Sequence, residues 1–196
     1  MFGLILETST EKGCIVLSDK EHPLAFRTLS GGPELSKTVA LETEQLLKET
    51  PLQKPDFIAV GTGPGSYTGT RVGVSLAKAL AFGWNIPLFG FCSLQAFFPT
   101  DNIPCTVVFD ARMGGFYILD DPLAKPILIP FAEAQDSLPR RSRIASPHPE
   151  MIHKRLSLAA ACIETNPSPS LLASIGYQLA LEGKAVPLEL AYLQAT

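Results

Sequence analysis

Short apolar runs at residues 4–6, 14–17 and 24–28 are separated by polar hexapeptides at 8–13 and 18–23. That alternation predicts three consecutive strands joined as hairpins. From 35 to 49 the spacing changes to helical. Leu35, Val39 and Leu46 share one face, with Ala40 and Leu47 beside them, and Pro51 stops the pattern. Residues 57–60 read as a buried strand, 61–69 as a glycine-rich turn, and 70–82 as a helix closed by Gly83. A further strand follows at 87–91, and Ser93 suits the N-cap of a short helix through 98. Strand signals resume at 105–109, 116–119, 127–129 and 144–145. Helical stretches at 150–156 and 170–182 complete the pattern, the last stopped by Gly183.

The break near residue 100 divides the chain into a lobe at 1–99 and a lobe at 100–196. Each opens with strands that turn back in a hairpin, so the expected class is mixed α/β with two related lobes. A length of 196 residues leaves room for one large domain or two small ones. Charged residues make up only 18% of the chain, against about 25% in an average soluble domain, which points to apolar surface covered by a partner. The net charge of −3 is spread evenly along the chain, so no polyanion is attracted by the molecule as a whole. The first residues lack a basic region before a short apolar run, which suggests no signal peptide, and the apolar stretch 79–91 is too short to span a membrane. Cys14, Cys92, Cys105 and Cys162 stand far apart with no C-x-x-C pair, and are read as buried reduced thiols.

The segment with most chemical content holds Gly63, Gly65, Ser66 and Thr68, then Gly69, Thr70 and Arg71 where the helix begins. Glycine permits close backbone approach, and amides at a helix start attract anions. Both an anion site and a tight turn packed on a neighbour are therefore open. The spacing fits neither G-x-x-x-x-G-K-[ST] nor the dinucleotide fingerprint, and Pro64 and Thr68 stand where a nucleophile elbow at Ser66 would need glycines. In the following helix Gly73, Ala77 and Ala81 recur every four residues beside an apolar face of Val72, Leu76, Ala79 and Leu80. Such a smooth ridge admits close helix approach. It serves either the chain's own sheet and helix 35–49 or a helix of another protein. Asp110, after a strand, is either a functional carboxylate or an ordinary pair for a neighbour. His148 and His153, five apart, do not make a helical metal pair, and Arg140, Arg141, Arg143, Lys154 and Arg155 are read as a solvated face, the other reading being contact with a nucleic acid backbone.

Residues 63–78, GPGSYTGTRVGVSLAK, closely resemble the signature of the TsaB (YeaZ) family. LETST after the first strand, the helix after Glu34, DARMGGFY at 110–117 and the closing residues 189–193 extend the resemblance. It implies the two-lobed fold of actin, sugar kinases and heat-shock ATPases, in a bacterial cytoplasmic protein. The implied role is a non-catalytic scaffold for making threonylcarbamoyladenosine next to the anticodon of tRNAs reading codons that begin with adenosine. The transfer itself is carried out by the homologue TsaD, joined by the ATPase TsaE, so ATP and a metal are expected to belong to those partners and none to this chain. Leu35, Val39, Leu46, Val72, Gly73, Leu76, Ala77, Leu80 and Ala81 are the expected interface, with a homodimer when the partner is absent. Three residues depart from the family pattern: Glu7 stands where aspartate is usual, Leu35 where histidine is, and Gly115 where glutamate is. The competing reading is a nucleotide-dependent enzyme of the sugar-kinase type that uses the glycine loop with Glu7 or Asp110.

Overall fold

A computed structural model of the chain describes all of it except residues 33, 52–53, 102, 157–160 and 184–196; the motif at 189–193 lies outside the described residues. β1 (Phe2–Glu7), β2 (Lys12–Asp19) and β3 (His22–Ser30) form an antiparallel meander, as the alternation of runs and hairpins requires. β4 (Phe57–Gly61) and β5 (Leu88–Phe91) join in parallel on the far side of β1. Parallel strands need crossovers, which α1 (Leu35–Lys48) and α2 (Tyr67–Trp84) supply. The order is β3-β2-β1-β4-β5.

The second half repeats the plan. β6 (Thr106–Asp110), β7 (Phe116–Leu119) and β8 (Ile127–Ile129) are antiparallel, and β9 (Arg143–Ser146) and β10 (Ala161–Glu164) add in parallel, giving β8-β7-β6-β9-β10. Its crossovers are α3 (Phe131–Ser137) and α4 (Pro149–Arg155). Two mixed sheets thus share one strand order and one set of strand senses, as the matching hairpins suggested. The strands change sheet between Phe91 and Thr106, but α5 (Pro169–Glu182) returns to the first sheet. A Cβ on Gly176 would lie 2.7 Å from the Ile5 side chain, so only glycine lets α5 rest this closely on β1.

Three apolar layers result. The central one runs between the sheets, from Ile5, Val16 and Phe57 to Phe109 and Leu119, with Leu172 and Ala173 of α5. Phe97 and Phe109 meet edge to face there, 4.8 Å between centroids. The outer face of the first sheet, with Leu4, Leu6, Ile58 and Val60, takes α1 and α2. That of the second, with Val108, Phe116 and Ile144, takes Ala134 of α3 and Ile152 of α4.

Several boundaries differ from expectation for identifiable reasons. α2 begins three residues early, because the Ser66 hydroxyl accepts the Gly69 N–H at 3.2 Å and caps it. It ends at Trp84, where Asn85 rather than Gly83 takes the left-handed conformation at φ 52°. Ser93 caps nothing. It opens a short 3-10 segment, Ser93–Phe97, and its hydroxyl accepts the Gly63 N–H at 3.0 Å. α3 and β10 were not expected from the sequence; α3 buries only Ala134, and β10 is an edge strand with no fully buried residue. No helix among the described residues is long and apolar enough to cross a membrane.

Candidate functional site

The glycine loop is packed on the chain's own first strand. Ser66 N–H donates to the Ser9 carbonyl at 2.6 Å, and the Thr8 hydroxyl donates to the Gly69 carbonyl at 2.8 Å. A Cβ on Gly65 would stand 2.5 Å from the Ser9 carbonyl, on Gly69 2.2 Å from the Thr8 carbonyl, and on Gly73 2.1 Å from the Thr8 hydroxyl. The three glycines therefore exist so that α2 can start against the end of β1. Gly63, Gly69 and Thr70 are buried, whereas Gly65, Ser66, Thr68 and Arg71 are exposed. Arg71 lies over the Tyr67 ring at 3.8 Å.

Glu7 ends β1 with no exposed surface. Its Oε1 accepts the Ser9 N–H at 2.6 Å, and Oε2 has no aligned partner. Burial pushes this carboxyl up to about 7, against a smaller opposing effect of the nearby Ser9 and Ser93 hydroxyls and the Ser9 and Thr8 amides. A Cβ on Gly61 would sit 2.0 Å from Oε2, so Glu7 fills the space a side chain there would take. It is sealed in the fold and reaches no cleft.

The expected interface residues divide into two sets. Leu35, Val39 and Leu46 of α1 and Gly73, Ala77 and Ala81 of α2 are buried, Ala77 completely, and the five with apolar side chains pack on the outer face of the first sheet. Their assignment as partner-facing is corrected for all but Val39, which also lines the groove between α1 and α2; the small-residue ridge is the price of laying α2 close over β1 and β4. Leu35 likewise adds nothing to an exposed face. Val72, Leu76 and Leu80 are half-buried on the neighbouring face. There a groove of about 500 Å³ runs between α1 and α2, past Ser36, Ala40, Thr68, Val72, Ser75 and Leu76. Leu41 of α1 and Phe82 of α2, the latter 90% exposed, add apolar surface to the same helix pair.

In the second lobe the candidate residues are mostly engaged. Asp110 pairs with Arg155 and accepts the Arg112 N–H at 2.7 Å. Arg155 also lies over the rings of Phe116 and Phe131, at 4.8 and 5.3 Å. Replacing Arg155 by methionine keeps the stem but removes the charge, and is expected to destabilise the chain by about 1–2 kcal/mol, because the pair is only partly buried; urea unfolding measures it. Arg141 pairs with Asp120 at 2.8 Å, and Arg143 grips Asp101 at 2.6 and 2.9 Å, holding that carboxyl down to about 2. The basic concentration is thus largely neutralised. Gly115 sits at φ 111° with its missing Cβ 2.0 Å from the Ile129 carbonyl, so glutamate could not stand there. The four thiols are free, Cys14 and Cys105 buried, Cys92 and Cys162 partly so; burial pushes Cys14 up to about 12. No group of three or more metal-ligating side chains occurs among the described residues.

A family model described as "TsaD: tRNA N6-adenosine threonylcarbamoyltransferase" matches residues 33–169. Proteins named "tRNA threonylcarbamoyladenosine biosynthesis protein TsaB" are 30% identical over 141 residues in Bacillus subtilis and 32% identical over 122 in Haemophilus influenzae. The matches cover 61% and 58% of this chain; the chain spans 61% and 51% of the lengths of those relatives. The solved structure of YeaZ from Pseudomonas aeruginosa, 21% identical, superposes with a TM-score of 0.77 and covers 100% of this chain and 99% of its own. That likeness establishes the fold, two lobes each built on a mixed five-stranded sheet, as the one YeaZ has.

Proposed function

The chain belongs to the TsaB (YeaZ) family, and on that premise we propose that it is a non-catalytic subunit in the formation of threonylcarbamoyladenosine on tRNA, docking a TsaD-type transferase through α1 and α2. The observation that carries the reading is the open apolar groove between those helices, with Val72 and Leu76 half-buried along it. A hydrophobic strip rimmed by Ser36, Ser75 and Arg71 is what a partner helix covers. The same face pairs two copies of this chain when the transferase is absent. ATP, its metal and the ATPase step are assigned to the partners, TsaD and TsaE, and tRNA to the complex.

Against the nucleotide-enzyme reading, Glu7 is sealed and partly protonated near neutrality, Asp110 is held by Arg155, and the glycine loop is filled by Thr8 and Ser9. Ala40 and Ser75 are exposed in the groove and touch no core. Changing both to arginine is expected to weaken association with a TsaD protein at least about 30-fold, roughly 2 kcal/mol, with an unaltered melting temperature. Unchanged co-elution and titration calorimetry would sink the docking proposal.

A further inference from the structure

The groove between α1 and α2 is electrically uneven. Its floor is apolar, with Val39, Val72 and Leu76, and its rim carries Ser36, Ala40 and Ser75. Among the described residues that line it, Arg71 is the one charged side chain. Arg71 is exposed, and its guanidinium lies 3.8 Å from the ring centre of Tyr67, one turn earlier in α2 and itself 60% exposed. A planar cation stacked on a ring is positioned before any partner arrives. Ser36 and Thr68, each the second residue of its helix, line the same groove, so α1 and α2 start together at the end where Arg71 stands. Neither helix has an acidic residue in its first turn, and the flanking Glu34 is tied to Lys37 at 3.0 Å. Two positive helix ends and a positioned cation therefore meet there, while the lining further along is neutral.

We propose that the helix of the partner that fills this groove runs antiparallel to α2 and presents a carboxylate, from an aspartate or glutamate in its C-terminal half, to Arg71. In that direction its negative end faces the two positive ends, and its apolar side chains lie on Val72 and Leu76. The guanidinium takes the carboxylate through paired N–H donors while remaining stacked on Tyr67. The opposite direction would bring a third positive end to the same place. Charges at the rim of an interface set partner choice and association rate more than raw affinity. Arg71 is thus a specificity residue, and Val72 with Leu76 supplies the adhesion. This inference rests on the docking reading and adds to it the direction and the charge of the helix that docks.

The test is a charge swap, read by titration calorimetry between the full chain and a TsaD protein. Arg71→Glu is expected to weaken binding at least about tenfold and Arg71→Lys only about threefold, with melting temperatures unaltered. Aspartates and glutamates on the partner's docking helices are then changed to lysine one at a time. One of these changes, in the C-terminal half of its helix, should weaken binding to the parent chain and restore binding to Arg71→Glu at least about fivefold. If the parent binds and Arg71→Glu binds as tightly, or if no partner reversal restores the loss, the proposal is overturned while docking stands. Rescue from the N-terminal half of a helix overturns the direction. A parent chain that does not bind at all overturns the docking reading and this inference together.

Discussion

Gly69→Ala is expected to destabilise the chain by about 3 kcal/mol or more, since the new methyl would stand 2.2 Å from the Thr8 carbonyl. The obstacle is backbone, pinned inside the fold: Thr8 has no exposed surface and its hydroxyl donates to the Gly69 carbonyl. Relief requires α2 to lift from β1, which opens the layer that holds Ala77 and Val74 against Leu4, Leu6 and Val60. Gly83→Ala is the control within the same helix. A Cβ there meets nothing within 4 Å, so the replacement should stabilise by about 0.5–1 kcal/mol through helix propensity. Urea unfolding of the two variants side by side separates tight packing from generic glycine flexibility. If Gly69→Ala proved as mild as Gly83→Ala, the account of the glycine loop as a seat on β1 would be wrong.

That pair of glycines also marks what the amino-acid pattern could convey. Helical periods and short apolar runs located every described strand except β10 and every described helix except α3 to within a few residues, because a helix that buries one face shows a period and strands buried on both faces, such as β1, β2 and β4, show unbroken apolar runs. A small-residue ridge announces close approach but not by what. In α2 the approaching body is β1 and β4 of the same chain, which only the tertiary fold decides. Glu7 was visible only as a glutamate where the resembled family usually has aspartate, yet its burial depends on Gly61 and Ser93, which lie 54 and 86 residues away. The cleft of about 480 Å³ lined by Ser9, Thr68, Arg112 and His148 was illegible for the same reason: these residues come from four separate segments, gathered only because two sheets of equal topology face each other.

Glu7 yields the other large effect, a pH dependence that Glu7→Gln should abolish. Below about pH 4.5 the carboxyl is protonated in folded and unfolded chains alike, so its burial is not opposed by charge. As pH rises toward about 7, the unfolded chain releases this proton while the folded chain retains it, and stability falls. Above about 7 both states are ionised and the loss levels off. A displacement from 4.5 to about 7 corresponds to about 3 kcal/mol. The glutamine side chain keeps an oxygen to accept the Ser9 N–H and presents its amide toward the Ser93 hydroxyl without any charge to desolvate. At pH 8 the variant should therefore be more stable than the parent by about 2–3 kcal/mol, and at pH 4.5 about equal to it. Other titrating groups contribute equally to both proteins, so the difference between their urea-unfolding curves across pH isolates Glu7. A difference that stays constant from pH 4.5 to 8 would mean that the carboxyl ionises as freely in the fold as in the open chain, and that water reaches it.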